Sequence, residues 1–135
     1  MTMKQVRVGI VGFGTVGRAT ADIISKHGDL ISHRSGVKLA VTAVCRRSSI
    51  EPIDTPPGAR VYSDWKQLLQ DPNVDVVVET MGGTGDSLQL VRAALEQGKP
   101  VVTANKNLLA GHGDELFSLA VARRLPIGYG DTPVS

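Results

Sequence analysis

Short apolar runs alternate along this chain with stretches in which apolar residues recur at helical spacing. The apolar runs predict strands at residues 6–11, 37–45, 60–62, 74–80, 100–104 and 126–129. The helical spacing predicts helices at residues 15–27, from Ser63 or Asp64 to Gln70, at 86–97 and at 114–124. Strands that alternate with helices are typical of right-handed βαβ units. The pattern therefore predicts an α/β fold with a doubly wound, mainly parallel sheet.

The same spacing predicts which residues pack inward. The helical positions that carry apolar side chains are Val16, Ala19, Ile23 and Ile24 in the first helix, Leu88, Val91, Ala94 and Leu95 in the third, and Leu116, Leu119, Ala120 and Val121 in the last. Residues 74–80 hold three successive valines, so this strand is expected near the centre of the sheet. Residues 48–60 contain three prolines and are expected to form a loop.

Composition narrows the class of protein. The chain has 135 residues, 41% of them hydrophobic and 21% charged, with a formal net charge of +2, which fits one globular domain. Arg46 and Arg47 form the densest basic pair, which is too short to follow a nucleic-acid backbone. No nucleic-acid partner is expected.

Cysteine and histidine usage bears on metals and on location. Cys45 is the only cysteine, so no disulfide within the chain and no multi-cysteine metal site is expected. The histidines are widely separated in the sequence, which disfavours a metal site and a catalytic triad. No segment approaches the roughly 20 apolar residues of a membrane span. These features predict a cytoplasmic protein without a membrane partner.

A glycine motif follows the first predicted strand and opens the first predicted helix. It reads Gly12-Phe13-Gly14-Thr15-Val16-Gly17. Its first glycine permits a tight turn, the second permits the backbone to approach a pyrophosphate, and the third permits helix and strand to pack closely. The unpaired N–H groups of the helix N-terminus favour the phosphates. The motif predicts a Rossmann-type site for a dinucleotide, although glycine-rich turns also occur for structural reasons alone.

Three further polar clusters follow predicted strands, and all should meet at one edge of the sheet. In the first, Arg46 and Arg47 follow the second strand, where arginine neutralises a ribose 2′-phosphate and an acidic residue would accept from a 2′-hydroxyl. No carboxylate is expected where it would repel that phosphate, so NADP is favoured and NAD remains possible. The alternative is that both arginines are simply solvated. Cys45 is expected to be buried and unreactive.

The second and third clusters are residues 79–83 and 103–106. Gly82 and Gly83 leave room for the nicotinamide side of a cofactor, and Thr80 could donate a hydrogen bond there, next to Met81. Glu79 could instead pair with a helix or a nearby base. In the third cluster the candidates are Thr103, Asn105 and Lys106. Lys106 could hold a carboxylate or polarise a carbonyl, or could be a solvated surface lysine.

Three motifs together closely resemble homoserine dehydrogenase: residues 9–17, 76–83 and 98–110. The resemblance covers about residues 5–129 and indicates the nicotinamide-dinucleotide-binding domain of that family. It implies that Phe13, Thr15 and Val16 contact the pyrophosphate region and that Arg46 and Arg47 contact the 2′-phosphate. It also implies that residues 80–83 contact the nicotinamide half and that Lys106 lies at the site of hydride transfer.

The resemblance implies an enzyme that interconverts L-homoserine and L-aspartate 4-semialdehyde with NADP, in threonine and methionine biosynthesis. After Tyr129 the family continues into a substrate-binding and dimerisation domain, to which no residue of this chain corresponds. The small amino-acid-derived substrate is thus expected only if a catalytic domain completes the site. A cofactor-binding module or partner subunit without catalysis is the alternative. The glucose-fructose oxidoreductases, which typically carry Glu-Lys-Pro after the fifth strand, are disfavoured by Thr103-Ala104-Asn105-Lys106.

Overall fold

A computed structural model describes residues 4–12, 14–26, 36–46, 58–81, 85–103, 106–123 and 127–129. Strands and helices alternate in it, as the sequence predicts. The strands are β1 (Lys4–Val11), β2 (Val37–Cys45), β3 (Arg60–Tyr62), β4 (Val76–Glu79), β5 (Val101–Thr103) and β6 (Ile127–Tyr129). The helices are α1 (Thr15–Lys26), α2 (Trp65–Leu69), α3 (Gly85–Glu96) and α4 (Lys106–Ala122). Most of the loop predicted at residues 48–60 lies outside the described residues.

The strands form one parallel sheet in the order β3-β2-β1-β4-β5-β6. The chain runs outward from β1 to β3 and then crosses back to start β4 on the other side of β1, which makes the gap between β1 and β4 the switch point of a Rossmann-type fold. The predicted central position of β4 is confirmed. Val11 is level with Cys45 and with Glu79, and Glu79 is level with Thr103. The segments that follow these four strands therefore emerge side by side.

Apolar layers cover both faces of the sheet. On one face, Ala21 and Ile24 of α1 pack against Val8 and Ile10 of β1. On the other face, α2, α3 and α4 bury the larger core, whose fully buried leucines are Leu68, Leu69, Leu90, Leu95, Leu108 and Leu116. Gly9 permits the close approach of α2, because a Cβ there would lie 2.9 Å from Leu68 Cδ2. Helices on both faces confirm the doubly wound architecture.

The buried face of α1 differs from the predicted one. Val16 is 52% exposed, Ile23 is 55% exposed and Ala19 is also exposed, whereas Ile24 is buried as predicted, together with Gly17 and Ala21. Residues 17, 21 and 24 also have helical spacing, so the sequence pattern allowed two alternative buried faces for this helix. The face with the glycine packs inward because it lets the helix axis come closer to the sheet.

Helix α4 begins at Lys106, well before the predicted start at residue 114. Gly111 and Gly113 lie before that predicted start, and glycine lowers helix propensity. The helix continues through them, and Leu108, in its first turn, is fully buried in the core. Leu116 and Ala120 face the core as predicted, but Val121 is 76% exposed. Burial of the early turn outweighs the local cost of the two glycines.

Charged groups hold β1 against β4 at the end of the sheet where β4 begins. Arg7 Nε donates to Asp75 Oδ2 at 3.0 Å and Arg7 Nη2 donates to Asp75 Oδ1 at 3.0 Å, while the backbone N–H of Asp75 donates to Arg7 O at 2.7 Å. The hydrogen bond from the Arg7 side chain holds the pKa of Asp75 below its usual value. These contacts fix β1 against the start of β4, far from the segments that follow the strands.

Candidate nucleotide-binding site

The turn after β1 lies where three strand ends converge. Gly12 has φ +93°, a left-handed conformation that side chains disfavour, and its N–H donates to Cys45 O at 2.9 Å. A Cβ on Gly12 would lie 2.9 Å from Met81 N and 2.9 Å from the Thr80 carbonyl carbon. Both the backbone conformation and the neighbouring backbone of β4 therefore require glycine here.

The other two glycines of the motif have opposite surroundings. A Cβ on Gly17 would lie 2.2 Å from Gly12 O, so α1 packs directly on the turn, as the sequence predicts. A Cβ on Gly14 would meet none of the described residues within 4 Å, and Gly14 is exposed. Arg18 N donates to Gly14 O at 2.9 Å, which places Gly14 at the start of α1, where backbone N–H groups are open to an anion. The fold itself does not require glycine at position 14.

Thr80 braces this turn from the neighbouring strand. Its hydroxyl donates to Val11 O at 3.1 Å and also to Gly12 O, and its backbone N–H donates to Val11 O at 2.9 Å. The sequence predicted that this hydroxyl would donate to the nicotinamide. The structure corrects that role, because the proton is used to hold the β1 turn. Only the acceptor capacity of the oxygen is left for a ligand.

Glu79 is fully buried at the end of β4. Its Oε1 accepts from Met81 N at 2.9 Å and from Ser87 Oγ at 2.9 Å, and its Oε2 accepts from Thr103 Oγ1 at 2.6 Å. Of the two roles left open by the sequence, pairing with a helix is the observed one, since Ser87 belongs to α3. Thr103 was predicted to bind the cofactor. Its side chain is fully buried and donates to Glu79 instead, so it lies inside the fold and not on the surface at the strand ends.

A cavity of about 170 Å³ opens beside the β1 turn. Its lining comes from the ends of β1, β2 and β4, the first residues of α2, and the start of α3. The lining residues are Val11, Gly12, Cys45, Arg46, Ser63, Asp64, Trp65, Met81 and Asp86. Arg46 N donates to Tyr62 O at 3.0 Å, which fixes the backbone at this arginine. The structure thus brings Arg46 and Met81 to the glycine turn, as the sequence predicts.

Sequence reasoning missed the contribution of α2 and α3 to this cavity. Asp64 caps α2, with Oδ1 accepting from Lys66 N at 3.0 Å, and Trp65 is the first helical residue. Asp86 lies in the first turn of α3. The expectation that no carboxylate would lie near Arg46 was therefore wrong, because it considered only neighbours in sequence. The helix start that follows β3, next to β2 in the sheet, was the available signal.

Cys45 is buried at the end of β2. Burial, with a smaller contribution from the charge of Asp64, raises the pKa of its thiol to about 11. A thiol with so high a pKa is a poor nucleophile near neutral pH, because the thiolate is the reactive form. The predicted unreactive role is supported.

The remaining candidates are only partly described. Phe13, Arg47, Gly82, Gly83 and Asn105 lie outside the described residues, and for Thr15 and Lys106 only the backbone is described. Lys106 was expected at the end of a strand, but it is the first residue of α4.

The described part of the chain contains neither a candidate metal site nor a candidate membrane-spanning helix. Its histidine, cysteine and acidic side chains nowhere form a group of three that could hold a metal ion. None of its helices is long and apolar enough to cross a membrane.

Comparison with known proteins gives a consistent result. The family model for the NAD-binding domain of homoserine dehydrogenase matches residues 12–129. The homoserine dehydrogenase of Neisseria gonorrhoeae is 42% identical over 127 residues, which is 94% of this chain and 29% of that protein. The enzyme of Pseudomonas aeruginosa is 41% identical over 94% of this chain and 29% of its own length.

Solved structures agree. The crystal structure of a homoserine dehydrogenase from Thiobacillus denitrificans superposes with a TM-score of 0.87 at 33% identity, covering 94% of this chain and 30% of that one. A homoserine dehydrogenase from Staphylococcus aureus gives a TM-score of 0.84 at 28% identity, with 95% and 32% coverage. The chain therefore spans less than a third of the length of these relatives.

Proposed function

Because the chain belongs to the family of homoserine dehydrogenase NAD-binding domains, we propose that it binds NADP(H) along the edge formed by the ends of β1, β2, β4 and β5. The contrast among the three motif glycines carries the proposal. Packing and backbone conformation account for Gly12 and Gly17, whereas no contact among the described residues accounts for Gly14. Open space at that position, next to the N-terminus of α1, suits a pyrophosphate.

The adenosine half is assigned to the 170 Å³ cavity beside the turn. Trp65 offers it an aromatic side chain, and Arg46 offers a guanidinium that suits a phosphate oxygen. The nicotinamide half is assigned to residues 80–83 and Lys106. Met81 also lines the cavity, so we assign it to the place where the two halves of the cofactor meet. We also assign four further residues to the cofactor-binding site: Phe13, Thr15, Val16 and Asn105.

Preference for NADP depends on opposing charges at the cavity. Arg46 and Arg47 favour a 2′-phosphate, whereas Asp64 and Asp86 disfavour it. We assign the preference to NADP, because a charge-assisted hydrogen bond from arginine is stronger than repulsion from a carboxylate that remains in contact with water.

Titration of the 135-residue chain with NADPH and with NADH tests this proposal. Trp65 is the only tryptophan and lines the cavity, so quenching of its fluorescence reports occupancy. NADPH should bind more tightly than NADH. The double variant Arg46→Ala, Arg47→Ala should lose about 2 to 4 kcal/mol of NADPH binding and little NADH binding. Equal affinities in the parent chain would contradict the assignment to NADP, and binding of neither cofactor would contradict the site.

Asp64→Asn is a matched control for the electrostatic argument. Asparagine caps helices as well as aspartate does, so α2 should persist while one negative charge is removed. The variant should bind NADPH more tightly and leave NADH binding nearly unchanged. Weaker NADPH binding would show that Asp64 holds the ribose and does not oppose the phosphate.

The full reaction is a wider proposal, since the chain spans only about 29% of relatives named homoserine dehydrogenase. We propose that it is the cofactor-binding domain of an enzyme that oxidises L-homoserine to L-aspartate 4-semialdehyde for threonine and methionine synthesis. The bound cofactor would accept the hydride, and Lys106 would stabilise charge on the substrate oxygen. A cytoplasmic location is part of this proposal, which the free thiol of Cys45 favours. A binding module without catalysis is the alternative, and a substrate-binding domain that restores activity would discriminate between them.

A further inference from the structure

The Glu79 carboxylate connects three segments at the proposed cofactor edge. Met81 N–H and the Ser87 hydroxyl both donate to Oε1, each at 2.9 Å, and the Thr103 hydroxyl donates to Oε2 at 2.6 Å. The side chain is fully buried, so these three donors replace the water that would hydrate an exposed carboxylate. Across the described residues every buried side-chain nitrogen or oxygen has a partner, which makes this a satisfied network.

Two of the donors flank one segment. Met81 immediately precedes residues 82–84, and Ser87 lies in the first turn of α3, which begins directly after them. Because both donate to the same oxygen atom, Oε1 sets the separation between the two ends of the segment that contains Gly82 and Gly83. A shorter side chain could not reach both donors from the same backbone position.

The third donor belongs to the next strand. Thr103 is the last residue of β5, and α4 begins at Lys106 soon afterwards. The Oε2 contact therefore ties the end of β5 to the end of β4 beyond the backbone hydrogen bonds of the sheet. One carboxylate holds both segments that the proposed function assigns to the nicotinamide half.

We infer that Glu79 is a positioning residue for the nicotinamide half of the cofactor. It holds Met81, Ser87 and Thr103 at a fixed separation, and it does not touch the cofactor because it is fully buried. The inference rests on the proposed function. The adenosine cavity shares Met81 and Asp86 with the segments beside Glu79, but the rest of its lining belongs to β1, β2 and the region around α2. There other contacts fix it, such as Arg46 N to Tyr62 O and the Asp64 cap of α2. Glu79 should therefore matter for one half of the ligand and much less for the other.

Two ligands separate the halves: NADPH and 2′-phospho-ADP-ribose, which lacks the nicotinamide. In the 135-residue chain, Glu79→Asp should weaken NADPH binding about tenfold, since a side chain one methylene shorter loses a hydrogen bond. Binding of 2′-phospho-ADP-ribose should change by less than about twofold. Glu79→Gln keeps the length and one carbonyl oxygen for Met81 and Ser87, and its amide can donate to Thr103 Oγ1. It should restore most of the NADPH affinity.

Thr103→Val is the matched variant, because it removes the hydroxyl that donates to Oε2 and preserves side-chain shape. It should also weaken NADPH selectively, and it provides the same test if Glu79→Asp does not fold by circular dichroism. Equal weakening of both ligands, or no change in either, would overturn the inference and leave Glu79 as a brace of the fold. Failure of the parent chain to bind 2′-phospho-ADP-ribose would instead contradict the proposed function itself.

Discussion

Gly14 and Gly17 belong to one motif, yet the structure predicts opposite effects for their replacement. Gly14→Val should leave the fold intact and abolish NADPH binding, because the new side chain occupies open space assigned to the pyrophosphate. Gly17→Ala should lower the free energy of unfolding by about 1 to 3 kcal/mol, since its Cβ would overlap Gly12 O. Urea unfolding and fluorescence titration measure the two effects. Parental NADPH affinity in Gly14→Val would reduce the motif to a structural turn.

Cys45 gives a prediction about pH. Burial raises the pKa of its thiol to about 11, so the folded chain should hold far less thiolate than the unfolded chain near pH 8. Alkylation of the native protein should be slow and should accelerate on unfolding. The unfolded thiol releases its proton above about pH 9 while the folded thiol keeps it, so stability should fall as the pH rises from 9 towards 11. Cys45→Ser should reduce that fall, and rapid alkylation of the folded parent would contradict the assignment.

At the scale of single elements, the sequence predicted the identity of the described strands and helices and missed details set by tertiary packing. Periodicity could not choose between two faces of α1, because the choice depends on how closely Gly17 approaches the β1 turn. It began α4 too late, because burial of Leu108 is not visible in local propensity. It could not show Glu79 and Thr103 as partners, since they lie on neighbouring strands and bond through side chains.

The free-energy cost of glycine inside helix α4 can be measured directly. Gly111 lies inside the helix, is exposed, and has open space at its Cβ position. Gly111→Ala should therefore raise the free energy of unfolding by about 0.5 to 1 kcal/mol. Gly98→Ala is the matched control, since it also has open space but φ +83°, and it should destabilise the chain. A loss of stability in Gly111→Ala would show that α4 needs the glycine for a reason beyond the contacts described.

At the scale of the whole molecule, topology explains why the candidate residues could be found at all. Residues 12, 46, 80 and 104 are distant in sequence but follow four strands whose ends are level in the sheet. Alternation of strands and helices predicts such an edge without any coordinates. The acidic groups at the cavity enter from helix starts, whose positions depend on crossover geometry, and for that reason sequence reasoning did not place Asp64 and Asp86 beside Arg46.

The last prediction concerns turnover by the 135-residue polypeptide. Its relatives named homoserine dehydrogenase are more than three times as long as the region it matches, and it offers Lys106 without the groups that would bury an amino-acid substrate. The chain alone should therefore bind NADP and show little oxidation of homoserine. The assay follows NADPH absorbance with and without a separately expressed catalytic domain from a related enzyme. If activity appears on addition, Lys106→Ala should reduce it strongly, because a donor at a developing oxyanion commonly contributes about 2.7 to 4 kcal/mol to the barrier. Rapid turnover by the chain alone would show that it needs no further domain, and an unchanged rate in Lys106→Ala would remove that lysine from the reaction.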